Sequence, residues 1–120
     1  MELIMLLTIP ELLAQLQDNI TKVTAEEAKT LLQQENSLLI DVREPAEYAE
    51  KSAKGAINIP RGVLEMKMLT LHPDENKLIV IHCATSARAS LAAEQLQRVG
   101  YKKVYVIACK LDTICECYNN

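Results

Sequence analysis

The chain has 120 residues, a formal net charge of −3 and a pI near 5.4. This length suits one domain with a modest core, and the core must be aliphatic because the chain contains no Phe and no Trp. An acidic chain with no basic stripe and no interleaved aromatic residues argues against nucleic-acid binding.

The first 20 residues are predicted to form an apolar helical leader. Its apolar side chains recur at helical spacing, at Ile9, Leu12, Leu13, Leu16 and Ile20. Three uses of this face stay open: packing on the domain's own surface, a homodimer contact through residues 1–20, or a membrane-surface anchor. The last is disfavoured because no Lys or Arg precedes Lys22.

The N-terminus also bears on the cellular compartment. The apolar run before Pro10 is too short to span a membrane, and it lacks the basic region and cleavage site of a secretory signal. We therefore expect a cytoplasmic protein. Its four cysteines should then be thiols or redox-active groups: Cys83, Cys109, Cys115 and Cys117.

From residue 21 to residue 120 the pattern alternates between strands and helices. Strands are predicted over 37–42, 56–59, 78–82 and 104–107, and helices over 25–34, 45–51, 61–69, 86–99 and 111–117. Apolar strands alternating with helices indicate an α/β fold, a parallel sheet covered on both faces. Functional groups gather beyond the carboxyl ends of such strands, where Asp41 and Cys83 both fall.

The loop that follows the 78–82 strand is the most informative stretch. It begins at Cys83 and ends at Arg88, with Ala84, Thr85, Ser86 and Ala87 between them. Backbone N–H groups at a strand–loop–helix junction converge on one point, where the helix dipole adds positive charge. This setting favours a thiolate, the nucleophilic form of cysteine. We predict Cys83 as the nucleophile and residues 84–88 as the substrate-binding loop, with Arg88 as a permanent cation.

Other polar residues have supporting roles or none. Asp41 and Arg43 are predicted to hold nearby loops, and His82 to be a packed strand histidine. We predict no metal site, because the spacing of the histidines and cysteines matches no zinc motif. Two interpretations of the three other cysteines stay open: they are incidental thiols, or Cys109, which follows the last strand, is a partner of Cys83.

Three stretches, 39–48, 55–60 and 83–88, resemble the motifs of the rhodanese family of sulfurtransferases in the order and spacing of that family. The resemblance spans about residues 21–118. It implies a three-layer domain with a five-stranded parallel sheet, here with an N-terminal helical extension. It also implies that Cys83 accepts a sulfane sulfur from a small donor such as thiosulfate and becomes a persulfide held by residues 84–88. The sulfur then passes to a thiol or other nucleophilic acceptor, and no cofactor is needed. With this chemistry, Cys109 is the candidate to resolve or relay the persulfide on Cys83.

Cell-cycle dual-specificity phosphatases share that fold, but five residues separate their cysteine and arginine. Here four residues separate Cys83 from Arg88, and the smaller ring suits one sulfur atom better than phosphate. Arsenate or phosphate-ester chemistry is therefore the less favoured alternative.

The chain departs from the family at several positions. Ser86 stands where the family has Gly, which predicts a serine at positive φ. Further departures are Ser52 for His, Lys54 for Pro, Cys109-Lys110 for Gly-Gly and Ile114 for Trp. They leave open a second function, a catalytically weak or inactive regulatory or interaction module.

Overall fold

The structure is a computed structural model that describes residues 6–120. Its centre is one sheet of five strands in the order β1-β5-β4-β2-β3, with every neighbouring pair parallel. The strands are β1 (Thr21–Val23), β2 (Ser37–Asp41), β3 (Ile57–Asn58), β4 (Leu78–His82) and β5 (Lys103–Ile107). The predicted five-stranded parallel sheet is confirmed.

Helices cover both faces of this sheet, which confirms the three-layer arrangement. They are α1 (Ile9–Leu16), α2 (Ala25–Leu31), α3 (Pro45–Glu50), α4 (Leu64–Leu71), α5 (Ala87–Val99) and α6 (Leu111–Tyr118), with 3-10 turns at Gln17–Asn19 and Arg61–Val63. Helices α1 and α4 pack against α5 on one face, and α2 packs against α6 on the other. Within residues 6–120, no helix has the length and apolarity to cross a bilayer.

The central strand β4 divides the core into two clusters. All five of its residues are buried, and successive side chains point to opposite faces of the sheet. Ile79 and Ile81 join the cluster under α4 and α5, whereas Leu78 and Val80 join the cluster under α2 and α6. A strand buried on both faces explains why this segment is a continuous apolar run.

Local sequence signals set several helix ends. Thr24 and Glu27 form the predicted capping box, in which the Thr24 hydroxyl accepts from the Glu27 N–H at 3.1 Å and the Glu27 carboxylate accepts from the Thr24 N–H at 2.8 Å. Gly100 ends α5 at φ 117°, a left-handed conformation that glycine adopts without steric cost.

Some element boundaries were predicted wrongly. The sequence pattern missed β1, which has only three residues and lies exposed at the sheet edge except for the half-buried Val23. The helix predicted over 25–34 ends at Leu31, and the strand predicted over 56–59 is reduced to Ile57–Asn58. Short edge strands carry little periodicity, so tertiary pairing decides them.

The leader helix packs on the domain. Leu16 is half-buried against the cluster under α5, and Ile20 is a buried member of that cluster. Leu7 and Ile9 remain exposed. Residues 1–5 of the predicted leader lie outside the described residues, and the division of the chain at residue 20 stays a prediction.

Candidate active site

The candidate site lies at the carboxyl edge of the sheet, between β4 and α5. Asp41 ends β2 and pairs in register with His82, which ends β4. Cys83 follows directly, and α5 begins four residues later at Ala87. The predicted nucleophile therefore stands at the junction of a buried strand and the N-terminus of a helix of 13 residues.

The Cys83 sulfur accepts two backbone hydrogen bonds. The Ser86 N–H lies 3.1 Å from Sγ, and the Ala89 N–H lies 3.4 Å from it. Ala89 is outside the predicted set of residues 84–88. Both donors stabilise negative charge on the sulfur, and the dipole of α5 adds to their effect. The Cys83 residue is only 1% exposed, so the thiol is almost entirely shielded from solvent.

Ser86 gives the loop its shape. Its backbone lies at φ 101° and ψ −13°, in the left-handed region, and it is the one non-glycine residue with positive φ in the described chain. The predicted strained serine is confirmed. A helix leaves its first N–H groups without intrahelical partners. The N–H groups of Ala87 and Arg88, at the first two positions of α5, are therefore not used by the helix.

The loop is also tied to the end of the chain. The Ala84 carbonyl accepts from the N–H of Leu111, the first residue of α6, at 3.0 Å. Thr85 is exposed at the tip, and Ala84 and Ala87 are half-buried. The residue that follows Cys109-Lys110 thus contacts the cysteine loop through its backbone.

Arg88 forms a two-point ion pair with Glu47 of α3. Its Nη1 and Nη2 lie 2.7 and 3.0 Å from the two carboxylate oxygens. The Arg88 hydrogen bond, followed by that of the Glu44 N–H, lowers the pKa of Glu47 to about 2, and the same pair raises the pKa of Arg88. Sequence reasoning missed Glu47, although it lies in the first family-like stretch. Substrate binding by Arg88 stays a prediction.

Asp41 and Arg43 form a buried ion pair. The guanidinium Nη2 lies 2.7 Å from the Asp41 carboxylate, and the two side chains are 4% and 0% exposed. Arg43 also donates to the carbonyls of Glu47 at 3.3 Å and Lys51 at 2.6 Å. It therefore anchors α3 to the end of β2 and positions Glu47, consistent with the predicted supporting role.

His82 is a packed histidine. It is buried, its Nδ1 lies 3.5 Å from the Cys83 carbonyl, and its Nε2 lies 3.9 Å from the Asp41 carboxylate. Burial lowers the pKa of His82, which favours the neutral ring at pH 7. Its polar atoms face the backbone and Asp41.

The other cysteines pack differently from Cys83. Cys83 belongs to the cluster under α5, whereas Cys109 and Cys117 pack against the cluster under α2 and α6 and line one surface groove there. The sulfur relay from Cys83 to Cys109 stays a prediction. Cys115 is buried, and burial raises the pKa of its thiol. Across residues 6–120, no group of three His, Cys, Asp or Glu side chains is arranged to hold a metal ion.

The chain is a small α/β domain in which a five-stranded parallel sheet presents a cysteine loop at the N-terminus of a helix. This combination defines one class of protein domain. The family model of the rhodanese-like domain matches residues 24–113, well over half of the chain. The protein belongs to the rhodanese-like family, as its sequence motifs predicted.

Known relatives include several sulfurtransferases. The chain is 35% identical to the thiosulfate sulfurtransferase PspE of Escherichia coli over 54% of its own length and 62% of the relative's. It is 33% identical to a putative sulfur carrier protein of Bacillus subtilis, over 72% of the chain and 46% of the relative. The chain thus spans about half to two thirds of these two relatives.

Solved structures give the same fold. A Rhodopseudomonas palustris protein of unknown function, described as a possible tyrosine phosphatase, superposes with a TM-score of 0.80 at 25% identity and covers 98% of this chain and 96% of its own. A homodimeric polysulfide-sulfur transferase of Wolinella succinogenes has a TM-score of 0.70 at 30% identity, with coverage of 87% and 79%.

Proposed function

We propose that the protein is a sulfurtransferase and persulfide carrier in which Cys83 is the nucleophile. The observation that carries this proposal is the pair of backbone N–H groups, from Ser86 and Ala89, that donate to the Cys83 sulfur. Such donors stabilise an anion at a fixed point without reorganisation. The sulfurtransferase relatives support the same chemistry.

In the first half-reaction the Cys83 thiolate attacks the outer sulfur of a donor such as thiosulfate. A new S–S bond forms at Cys83, the donor's S–S bond breaks, and its electron pair leaves with sulfite. In the second half-reaction a thiophilic nucleophile attacks the outer sulfur of the persulfide, and the Cys83 thiolate is the leaving group. The two steps need no cofactor.

The loop backbone would hold the outer sulfur between these steps. The N–H groups of Ser86 and Ala89 already bind the inner sulfur. The N–H groups of Ala87 and Arg88 have no hydrogen-bond acceptor within the helix. We propose that these two N–H groups bind the persulfide's outer sulfur. Ala84 and Thr85 would complete the wall of the same ring.

Incubation with thiosulfate followed by intact mass measurement tests this proposal. The wild-type protein should gain the mass of one sulfur atom, and Cys83→Ser should gain none. Cys117→Ser is the matched control, since it removes a thiol on the other face of the sheet, and it should be loaded like the wild type. Wild-type protein that gains no sulfur from any sulfane donor would refute the carrier function.

Phosphate-ester hydrolysis is the reaction that the description of the Rhodopseudomonas relative raises. Four residues separate Cys83 from Arg88, and the guanidinium is paired with Glu47. Both features favour a single sulfur atom over a tetrahedral oxyanion. We expect no hydrolysis of p-nitrophenyl phosphate above that of Cys83→Ser.

A second candidate function is that of an interaction module whose cysteine is inert. The 1% exposure of Cys83 favours it. So do the exposed apolar side chains at and just before the start of α1, where Leu7 and Ile9 are 49% and 55% exposed. The homodimeric Wolinella relative supports a homodimer as the assembly. Leu7→Ser/Ile9→Ser should then lower the mass measured by light scattering from dimer to monomer, and Cys83 of the wild type should take up no sulfur.

We also propose a cytoplasmic location. All four cysteines, which lie in the described part of the chain, are free thiols, and free thiols persist in reducing compartments. Fractionation of the producing cells tests this location directly.

A further inference from the structure

The ion pair between Glu47 and Arg88 bears on which sulfur donors the site accepts. Arg88 is the cation of the cysteine loop. Its pKa is raised mainly by the hydrogen bond to Glu47, and also by the negative charges of Cys83 and Asp41. A guanidinium in this place would ordinarily bind an anionic donor through two parallel hydrogen bonds. Here both terminal nitrogens already donate to the Glu47 carboxylate.

The pair is built into the fold. Arg43, itself buried against Asp41, donates to the Glu47 carbonyl at 3.3 Å, and the Glu44 N–H donates to the Glu47 carboxylate at 3.0 Å. Glu47 is therefore held from its backbone and from its side chain. The Arg88 and Glu47 side chains are only 37% and 38% exposed. The rim of the site, formed by these two residues beside Cys83, therefore carries a fixed cation whose charge Glu47 neutralises.

We propose that Glu47 is a specificity-determining residue that disfavours dianionic sulfur donors by occupying Arg88, so that Cys83 is charged preferentially by hydropersulfides of small thiols. This inference rests on the proposed sulfurtransferase function and names its donor class. A sulfonate-bearing dianion must displace the Glu47 carboxylate or approach it against charge repulsion. A hydropersulfide with an uncharged body does neither.

The transfer from a hydropersulfide balances without a further reactant. The Cys83 thiolate attacks the outer sulfur of R–S–SH, the donor's S–S bond breaks, and its electron pair goes to the departing RS group. The proton of the hydropersulfide passes to that leaving group, which gives R–SH, and the anionic persulfide stays on Cys83. No oxidation or reduction beyond this exchange of a sulfur atom takes place.

The test compares two donors on the full-length protein. Rate constants for sulfur uptake at Cys83 are measured by quenched mass spectrometry, with thiosulfate and with the hydropersulfide of 2-mercaptoethanol. The wild type should react faster with the hydropersulfide. In Glu47→Gln the ratio of the thiosulfate rate to the hydropersulfide rate should rise about two- to fivefold, the range that releasing one partly exposed ion pair allows.

Two further variants separate charge from structure. Glu75→Gln removes one charge from an exposed pair with Lys102, in a loop before β4, and should leave the ratio unchanged. Glu47→Gln/Arg88→Gln removes both partners and keeps the net charge of the rim, so its ratio should return to about the wild-type value. This charge-neutral variant also serves if the single variant fails to fold.

Each outcome decides the matter. An unchanged ratio in Glu47→Gln, equal changes for both donors, or a double variant whose ratio falls well below the wild-type value would overturn the role of Glu47. The last result would mean that Arg88 binds thiosulfate in the wild type despite the pair. Failure of both donors to add sulfur to wild-type Cys83 would instead refute the proposed function.

Discussion

The Ser86 N–H donates to the Cys83 sulfur at 3.1 Å while Ser86 itself lies at φ 101°. The two facts are linked, because the left-handed backbone at Ser86 reverses the chain between the loop and α5. A residue with a Cβ pays a steric cost there of roughly 1–2 kcal/mol. The geometry of the sulfur site is thus maintained against local strain.

Ser86→Gly should therefore stabilise the protein. Glycine removes the steric cost but has a larger backbone entropy in the unfolded state, so we expect a net gain of about 1 kcal/mol in the free energy of unfolding, measured in urea. Gly100→Ser is the matched control, since Gly100 lies at φ 117° at the other end of α5. It should lose about 1 kcal/mol. A less stable Ser86→Gly would contradict the strain argument.

Asp41→Asn should strongly destabilise the protein. The substitution leaves the Arg43 guanidinium buried without its counterion, and removing one partner of a buried pair costs about 3 kcal/mol or more. Urea unfolding measures the loss. Asp112→Asn breaks the pair between Lys51 and Asp112, whose side chains are 51% and 80% exposed, and should destabilise the protein far less, because exposed ion pairs contribute little. Equal losses in the two variants would mean that the Asp41–Arg43 pair contributes no more than a surface contact.

The Glu47–Arg88 pair predicts a pH dependence of stability. Its hydrogen bond to Arg88 lowers the pKa of Glu47 from 4.5 to about 2. A lowered carboxyl pKa in the folded state means that the contribution is fully present above about pH 4.5 and is lost as the pH falls towards 2. The stability difference between wild type and Glu47→Gln should thus be constant from pH 7 to 5 and shrink below 4.5. Unfolding curves across that range measure it, and a difference that stays constant to pH 2 would exclude this linkage.

Cys115 and Cys117 are expected to differ in reactivity although they are two residues apart. Cys115 is 4% exposed and burial raises the pKa of its thiol, whereas Cys117 is half-exposed beside a surface groove. Because the thiolate is the reactive form, iodoacetamide should modify Cys117 well before Cys115 in the native protein and both equally in urea. Peptide mapping gives the two rates. Faster native labelling of Cys115 would contradict the assigned burial.

A separate oxidation experiment addresses the relay that the sequence suggested. Cys83 and Cys109 lie in the clusters on opposite faces of the sheet, so mild peroxide should not join them in a disulfide. Mapping of the oxidised peptides measures this. A Cys83–Cys109 disulfide in the folded protein would restore Cys109 as a resolving residue.

The sequence predicted what depends on local signals and on motif order. Buried strands such as β4 appear as continuous apolar runs, and Thr24 with Glu27 marks a helix start without any tertiary information. The cysteine loop and the positive φ of Ser86 followed from the family-like stretch. These features are encoded within a few neighbouring residues.

The features that the sequence did not predict depend on contacts between distant segments. Glu47 and Arg88 are 41 residues apart, and nothing in either segment specifies that they meet. Strand β1 forms only because β5 pairs with it. The packing of Cys83 and Cys109 in different layers could also be seen only in the folded sheet, because both residues follow strands that end at the same edge.

The most direct test of the central claim follows sulfur through one complete cycle at Cys83. Protein loaded with a hydropersulfide or with thiosulfate is freed of donor, treated with cyanide, and assayed for thiocyanate together with its intact mass. The account predicts one equivalent of thiocyanate per chain, loss of the added sulfur, and no release from Cys83→Ser. Release of no thiocyanate from the wild type, or equal release from Cys83→Ser, would contradict it.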